Sequence, residues 1–73
     1  MEEEIINIIR NVLKKSPLSL IELAYVLNTV YKTDKFNAIN TYVLVQPYVD
    51  YGDILINRDN KMFCKDFFYV NLN

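Results

Sequence analysis

Ser16–Val45, SPLSLIELAYVLNTVYKTDKFNAINTYVLV, is the stretch on which the reading of this 73-residue chain turns. Within it Ser19-Leu20-Ile21-Glu22 has the form of a capping box. The Ser19 hydroxyl is placed to accept from the Glu22 amide, and the Glu22 carboxylate to reach back to the Ser19 amide. Leu18 and Leu23 stand where a hydrophobic staple needs them. The spacing predicts a helix over Leu20–Tyr31 with Leu20, Leu23, Ala24, Leu27 and Tyr31 on one face; Ala24 there lets a second helix approach closely. Lys32-Thr33-Asp34 is a polar break. Asp34 or Thr33 is expected to cap a further helix over Lys35–Val45, which Gln46-Pro47 stops, with Phe36, Ile39 and Val43 as its inward stripe.

Upstream, a first helix is expected over Glu2–Lys15. Its acidic start and its basic end (Arg10, Lys14, Lys15) complement the helix dipole. Ile5, Ile9, Val12 and Leu13 form its stripe, Ile6 and Ile8 flank it, and Ser16-Pro17 ends it because the residue before proline is pushed out of the α region. Downstream, Gly52 marks a turn. Ile54–Asn57 and Met62–Lys65 then read as strands of a hairpin joined by Arg58-Asp59-Asn60-Lys61. Phe67–Leu72 is a further β-prone run. The chain length is that of one small domain spanning residues 1–73.

Composition excludes several classes of function. With no His and one Cys there is neither a disulfide nor an N/S ligand set for structural zinc, and a lone Cys fits a reducing, intracellular setting. One Gly cannot build a phosphate-cradling loop. Asp50 and Asp53 read as solvated turn formers, and Cys64 as a small buried hydrophobe. No catalytic group, cofactor, metal or small-molecule substrate is expected. No apolar run reaches transmembrane length, and the acidic start argues against a signal peptide. Net charge is −1, but residues 5–73 carry eight bases and six acids, so the body is weakly basic. Apolar residues make up 52% of the chain, more than one small core absorbs, which points to a homodimer or a docking partner. The wealth of Ile, Asn, Lys and Tyr suits an AT-rich source such as a virus, a mobile element or an AT-rich microbe.

Pro17–Asn28, PLSLIELAYVLN, resembles the second-helix segment of many winged helix-turn-helix proteins, including the MarR-like and ArsR-like regulators. The shared pattern rests on Pro17, Leu18, Ser19, Glu22, Leu23, Ala24 and Leu27. The order of three helices and a hairpin extends the likeness over nearly the whole chain, and it is also similar to HARE-type winged helices. The resemblance implies an α+β winged helix-turn-helix whose third helix enters the major groove of double-stranded DNA while the wing touches the backbone or minor groove. Carried onto this chain, the outward positions of the third helix are Lys35, Asn37, Asn40, Thr41 and Leu44, and the wing tip offers Arg58, Asn60 and Lys61. Asn reads adenine and Thr contacts the thymine methyl. Lys32, Lys35, Arg58, Lys61 and Lys65 serve for phosphates. The expected function is that of a small DNA-binding transcriptional regulator acting as a dimer, because few phosphate contacts give one chain only a modest affinity.

A second expectation comes from the residues themselves. Lys35 is the one base over Lys35–Val45, and Tyr42, Leu44 and Val45 make that segment apolar for a groove-reading helix. Tyrosines at this density more often line a protein interface than stack on bases. On this reading the chain is a protein–protein interaction module, an adaptor or inhibitor of a larger complex, with Tyr42, Leu44, Val45, Phe67 and Tyr69 at the interface.

Overall fold

The computed structural model describes residues 2–67, so Tyr69 and most of the Phe67–Leu72 run lie outside the described residues. The chain is α+β, with the layout of a winged helix: α1 (Glu2–Lys15), α2 (Leu20–Tyr31) and α3 (Ala38–Tyr51) precede an antiparallel hairpin of β1 (Ile54–Ile56) and β2 (Met62–Cys64). Each strand is one residue shorter than its sequence pattern. Ile54, Leu55 and Ile56 face Cys64, Phe63 and Met62. Leu18, read from sequence as a staple residue and as part of the winged-helix pattern, forms an isolated antiparallel bridge to Met62. Its N–H donates to the Met62 carbonyl at 2.9 Å and its carbonyl accepts from the Met62 N–H at 2.7 Å. β2, paired with β1 on one side and bridged by Leu18 on the other, has all three residues buried, while β1 leaves Leu55 and Ile56 exposed.

The core gathers Ile6, Ile9 and Leu13 from α1, Leu23 and Leu27 from α2, Val45 from α3, and Ile54, Met62 and Cys64 from the hairpin. In α1 the buried line is Ile6, Ile9 and Leu13, with Ile5, Ile8 and Val12 packed around it, a small rotation from the expected stripe. Burial pushes the Cys64 thiol above its ordinary pKa, and its Sγ donates to the Arg10 carbonyl at 3.4 Å. Arg10 lies over the Tyr48 ring and reaches Asp53 at 3.3 Å, and Lys65 Nζ meets the other Asp53 oxygen at 3.1 Å. This group ties α1 and the end of the hairpin to the α3–β1 turn, and it engages Lys65 in the fold.

The box at Ser19 closes as its sequence requires. The Ser19 N–H donates to Glu22 Oε1 at 2.9 Å, and the Glu22 N–H donates to Ser19 Oγ at 3.1 Å. Helix α3 departs from expectation at both ends. It begins at Ala38, capped by Asn37 and not by Asp34 or Thr33: Asn37 Oδ1 accepts from the Asn40 N–H at 2.9 Å, and the Asn37 N–H donates to Asn40 Oδ1 at 2.8 Å. Two asparagines thus do what Ser and Glu do in α2. The helix also continues through Pro47 to Tyr51, where Gly52 takes φ +85° as a left-handed cap. Pro47 lies on the exposed side, so the Val43 carbonyl that it leaves without an N–H partner belongs to an exposed residue. Beyond it Tyr48 and Val49 pack on the core, which favours continuing the helix.

Candidate functional site

The late start of α3 sets which of its residues face outward. Thr41 and Val45 are fully buried, and Leu44, Tyr48 and Val49 pack against the core beside them. The expected inward stripe is therefore corrected: Ile39 is 79% exposed, Val43 is 63% exposed, and Phe36 precedes the helix. Thr41, expected to face a base, sits in the interior, and among the described residues its Oγ1 finds no hydrogen-bond partner. Val45, expected at an interface, is core. Leu44 is half-buried rather than outward. Tyr42 keeps the exposure expected of it. Phe67 is half-buried, its ring 5.9 Å from that of Phe63.

The turn between α2 and α3 is held by a contact that no local pattern announces. Asn28 Nδ2 donates to the Phe36 carbonyl at 3.0 Å, and the Phe36 N–H donates to Asn28 Oδ1 at 2.9 Å. Its amide thus mimics a strand partner for the loop backbone. The Tyr31 and Phe36 rings meet in a tilted contact, their centroids 6.0 Å apart. The asparagines proposed as base readers are likewise engaged. Asn40 Oδ1 serves the cap, and its Nδ2 donates to the Lys35 carbonyl at 2.8 Å; Asn37 Oδ1 serves the same cap. Reading an adenine would break these bonds.

What remains outward on α3 is an apolar ridge. Ile39, Tyr42, Val43, Pro47 and Tyr51 are exposed, joined by Gln46, Asn40 and Asp50. From Ala38 to Tyr51 the helix has no Lys or Arg. A groove of about 420 Å³ lies on one side of it, between α1 (Glu3, Ile6) and Val43, Leu44, Pro47 and Tyr48. On the other side Ile21 and Tyr25 of α2 stand exposed beside a shallow hollow closed by Ala24, Phe36 and Ala38. The apolar surface therefore extends from α2 across the start of α3 and along it towards α1.

The basic candidates lie around this ridge rather than on it. Lys32, in the left-handed conformation that ends α2, and Lys35 are exposed in the turn; Arg58 and Asn60 are exposed at the wing tip. The wing tip is tight, because Asn57 Oδ1 accepts from both the Asp59 and Lys61 amides. Lys61 leans back towards Glu22 at 3.8 Å. Among the described residues no group of three or more Cys, Asp or Glu is arranged to hold a metal ion, and no helix is long and apolar enough to cross a membrane. No protein-family model, curated protein or solved structure matches the chain.

Proposed function

We propose that this chain is a winged-helix protein–protein interaction module that presents the outer face of α3, flanked by α2, to a protein partner. One observation carries the reading: where a groove-reading helix exposes bases and free amides, α3 exposes Ile39, Tyr42 and Val43, has no Lys or Arg, and commits both of its N-terminal asparagines to its own cap. An uncharged apolar ridge gains nothing from phosphates and loses water favourably against another protein.

The DNA-binding regulator is the second reading, favoured by Lys32, Lys35 and Arg58, which are exposed and form no ion pair among the described residues. An anisotropy titration against mixed-sequence duplex DNA in low salt separates the two. The interaction module gives no binding up to about 100 µM, the upper end of ordinary non-specific DNA affinities. Salt-sensitive binding below that concentration, weakened by Lys35→Ala and Arg58→Ala, returns the chain to the DNA reading. In parallel, Ile39→Asp removes protein capture while the helical circular dichroism stays unchanged; capture that survives Ile39→Asp counts against the interaction face.

A further inference from the structure

Resting on the reading of α3 as a protein-docking element, we infer that the groove between α1 and α3 takes a basic side chain of that partner. Its aliphatic stem lies along the groove walls and its cationic head meets Glu3 and the Val43 carbonyl. The groove holds about 420 Å³, near the lower end of the clefts that bind small ligands. Ile6 from α1 and Val43, Leu44, Pro47 and the Tyr48 ring from α3 give it mostly apolar walls. Two acceptors stand in those walls. The first is a backbone oxygen: Pro47 sits inside the helix without an N–H, so the Val43 carbonyl lacks its donor four residues on. Val43 and Pro47 bracket that oxygen and both line the groove, which leaves it to a donor from outside. The second is the Glu3 carboxylate on the facing wall, exposed and in no ion pair among the described residues.

The surrounding charge selects the sign of the occupant. Glu3 is the one charged residue that lines the groove, and α3 brings no Lys or Arg to it. Arg10, which lies over the Tyr48 ring, is already committed to Asp53 at 3.3 Å. A carboxylate in the groove would face Glu3 and leave the Val43 oxygen without a donor, and an apolar side chain would desolvate both acceptors unpaired. A basic side chain satisfies both. Lys and Arg lay their methylene stems on apolar surface while the head carries several donors and a positive charge. Ammonium and guanidinium share this chemistry, and the groove is assigned to that shared class.

Amide NMR titration of the full chain tests this with the acetyl methylamides of arginine, lysine, norleucine and glutamate. Ionic strength is held constant and each probe is taken to about 100 mM, which spans the weak affinity of a single side chain. The arginine or lysine probe is expected to shift the Ile6, Leu44 and Tyr48 amides saturably. It binds about three- to tenfold more tightly than norleucine, which has the stem without the charge, and the glutamate probe does not bind. Glu3→Gln removes the charge, and Pro47→Ala returns an N–H to the Val43 carbonyl. Each lowers the ratio of basic to norleucine affinity by about two- to fivefold, with helical circular dichroism retained. That ratio reads the two acceptors, because a change of groove shape alone weakens both probes alike. No saturable shift, norleucine or glutamate binding as tightly as the basic probes, or a ratio that either variant leaves unchanged overturns the assignment. The two readings fail separately. Silent probes beside protein capture that Ile39→Asp removes discard the basic side chain alone, whereas duplex binding weakened by Lys35→Ala and Arg58→Ala discards the docking reading beneath it.

Discussion

Helices α1 and α3 are both 14 residues long, lean on one core and form opposite walls of one groove, yet α1 shows water a polar side and α3 a largely apolar one. The outer side of α1 carries Glu3, Glu4, Asn7, Asn11 and Lys15, and its inner side Ile6, Ile9 and Leu13. The outer side of α3 carries Ile39, Val43 and Tyr51 among the polar Asn40, Gln46 and Asp50, while Thr41 lies inside. Folding alone demands the first arrangement: apolar groups leave water and polar groups stay in it. It does not demand the second, where exposed Ile and Val add nothing to the core and a buried hydroxyl weakens it. Folding accounts for the described faces of α1, but neither for the exposed Ile39 and Val43 of α3 nor for its buried Thr41 hydroxyl. The remainder of α3 is where function has to be sought.

The largest test of this contrast sets a buried position on α1 against an exposed one on α3. Leu13→Ala removes a fully buried side chain and is expected to cost about 2–5 kcal/mol in urea unfolding. Val43→Ala removes a similar apolar group from solvent and is expected to change stability by less than about 0.5 kcal/mol in dilute chain. If Val43→Ala costs as much as Leu13→Ala, α3 is not turned outward as described and the contrast collapses.

Much of the first helix pair was legible because its signals are short-range and agree with one another. Ser19, Glu22 and the Leu23–Leu27 stripe each point to the same start and the same inward face, and the hairpin followed from Gly52 and two β-prone runs. α3 defeats the same reading because its apolar residues surround it. With Ile39, Tyr42, Val43, Leu44 and Val45 all apolar, periodicity does not choose a face, and Thr33 and Asp34 offer cap residues ahead of the true one. An Asn-x-x-Asn box at Asn37–Asn40 would have moved the start by three residues and turned the stripe towards Thr41 and Val45. Pro47 was a misleading stop, since tertiary burial of Tyr48 and Val49 outweighs a local preference. Asn28 was invisible in principle, because its partner is the backbone of Phe36, eight residues away in a loop whose path the sequence does not specify. Of the candidate site, the exposure of Tyr42, Lys32, Lys35 and Arg58 was legible, and the Ile39–Val43 ridge was not.

A smaller effect sharpens the contrast from the inside of α3. Thr41 Oγ1 is buried with no hydrogen-bond partner among the described residues. A buried hydroxyl left unpaired carries a desolvation cost that an apolar group of similar shape does not. Thr41→Val should therefore stabilise the chain by about 1 kcal/mol, read as a higher urea midpoint with an unchanged slope. A loss of stability would mean that the hydroxyl has a partner in solution, such as a water, and that the inner side of α3 is better satisfied than its contacts indicate.

The smallest effect concerns how the helices are started. The box of α3 closes on two uncharged asparagines, whereas that of α2 closes on Glu22, whose carboxyl is held below its ordinary pKa chiefly by the hydrogen bond from the Ser19 backbone, then by the Ser19 side chain, with a lesser contribution from Lys61. A depressed folded-state pKa means that the carboxylate contributes its stability in full above the unfolded glutamate pKa, and loses it as pH falls through the lowered folded value. Stability attributable to the start of α2 should thus fade on acidification into the range below ordinary glutamate titration, while the start of α3 has no such dependence. Glu22→Gln keeps an acceptor for the Ser19 amide at every pH, so the difference in urea midpoint between wild type and Glu22→Gln should narrow as pH drops through that window. A constant difference across the window would show that the Glu22 charge contributes nothing to the cap beyond its hydrogen-bond geometry, and that the two helix starts are equivalent in kind.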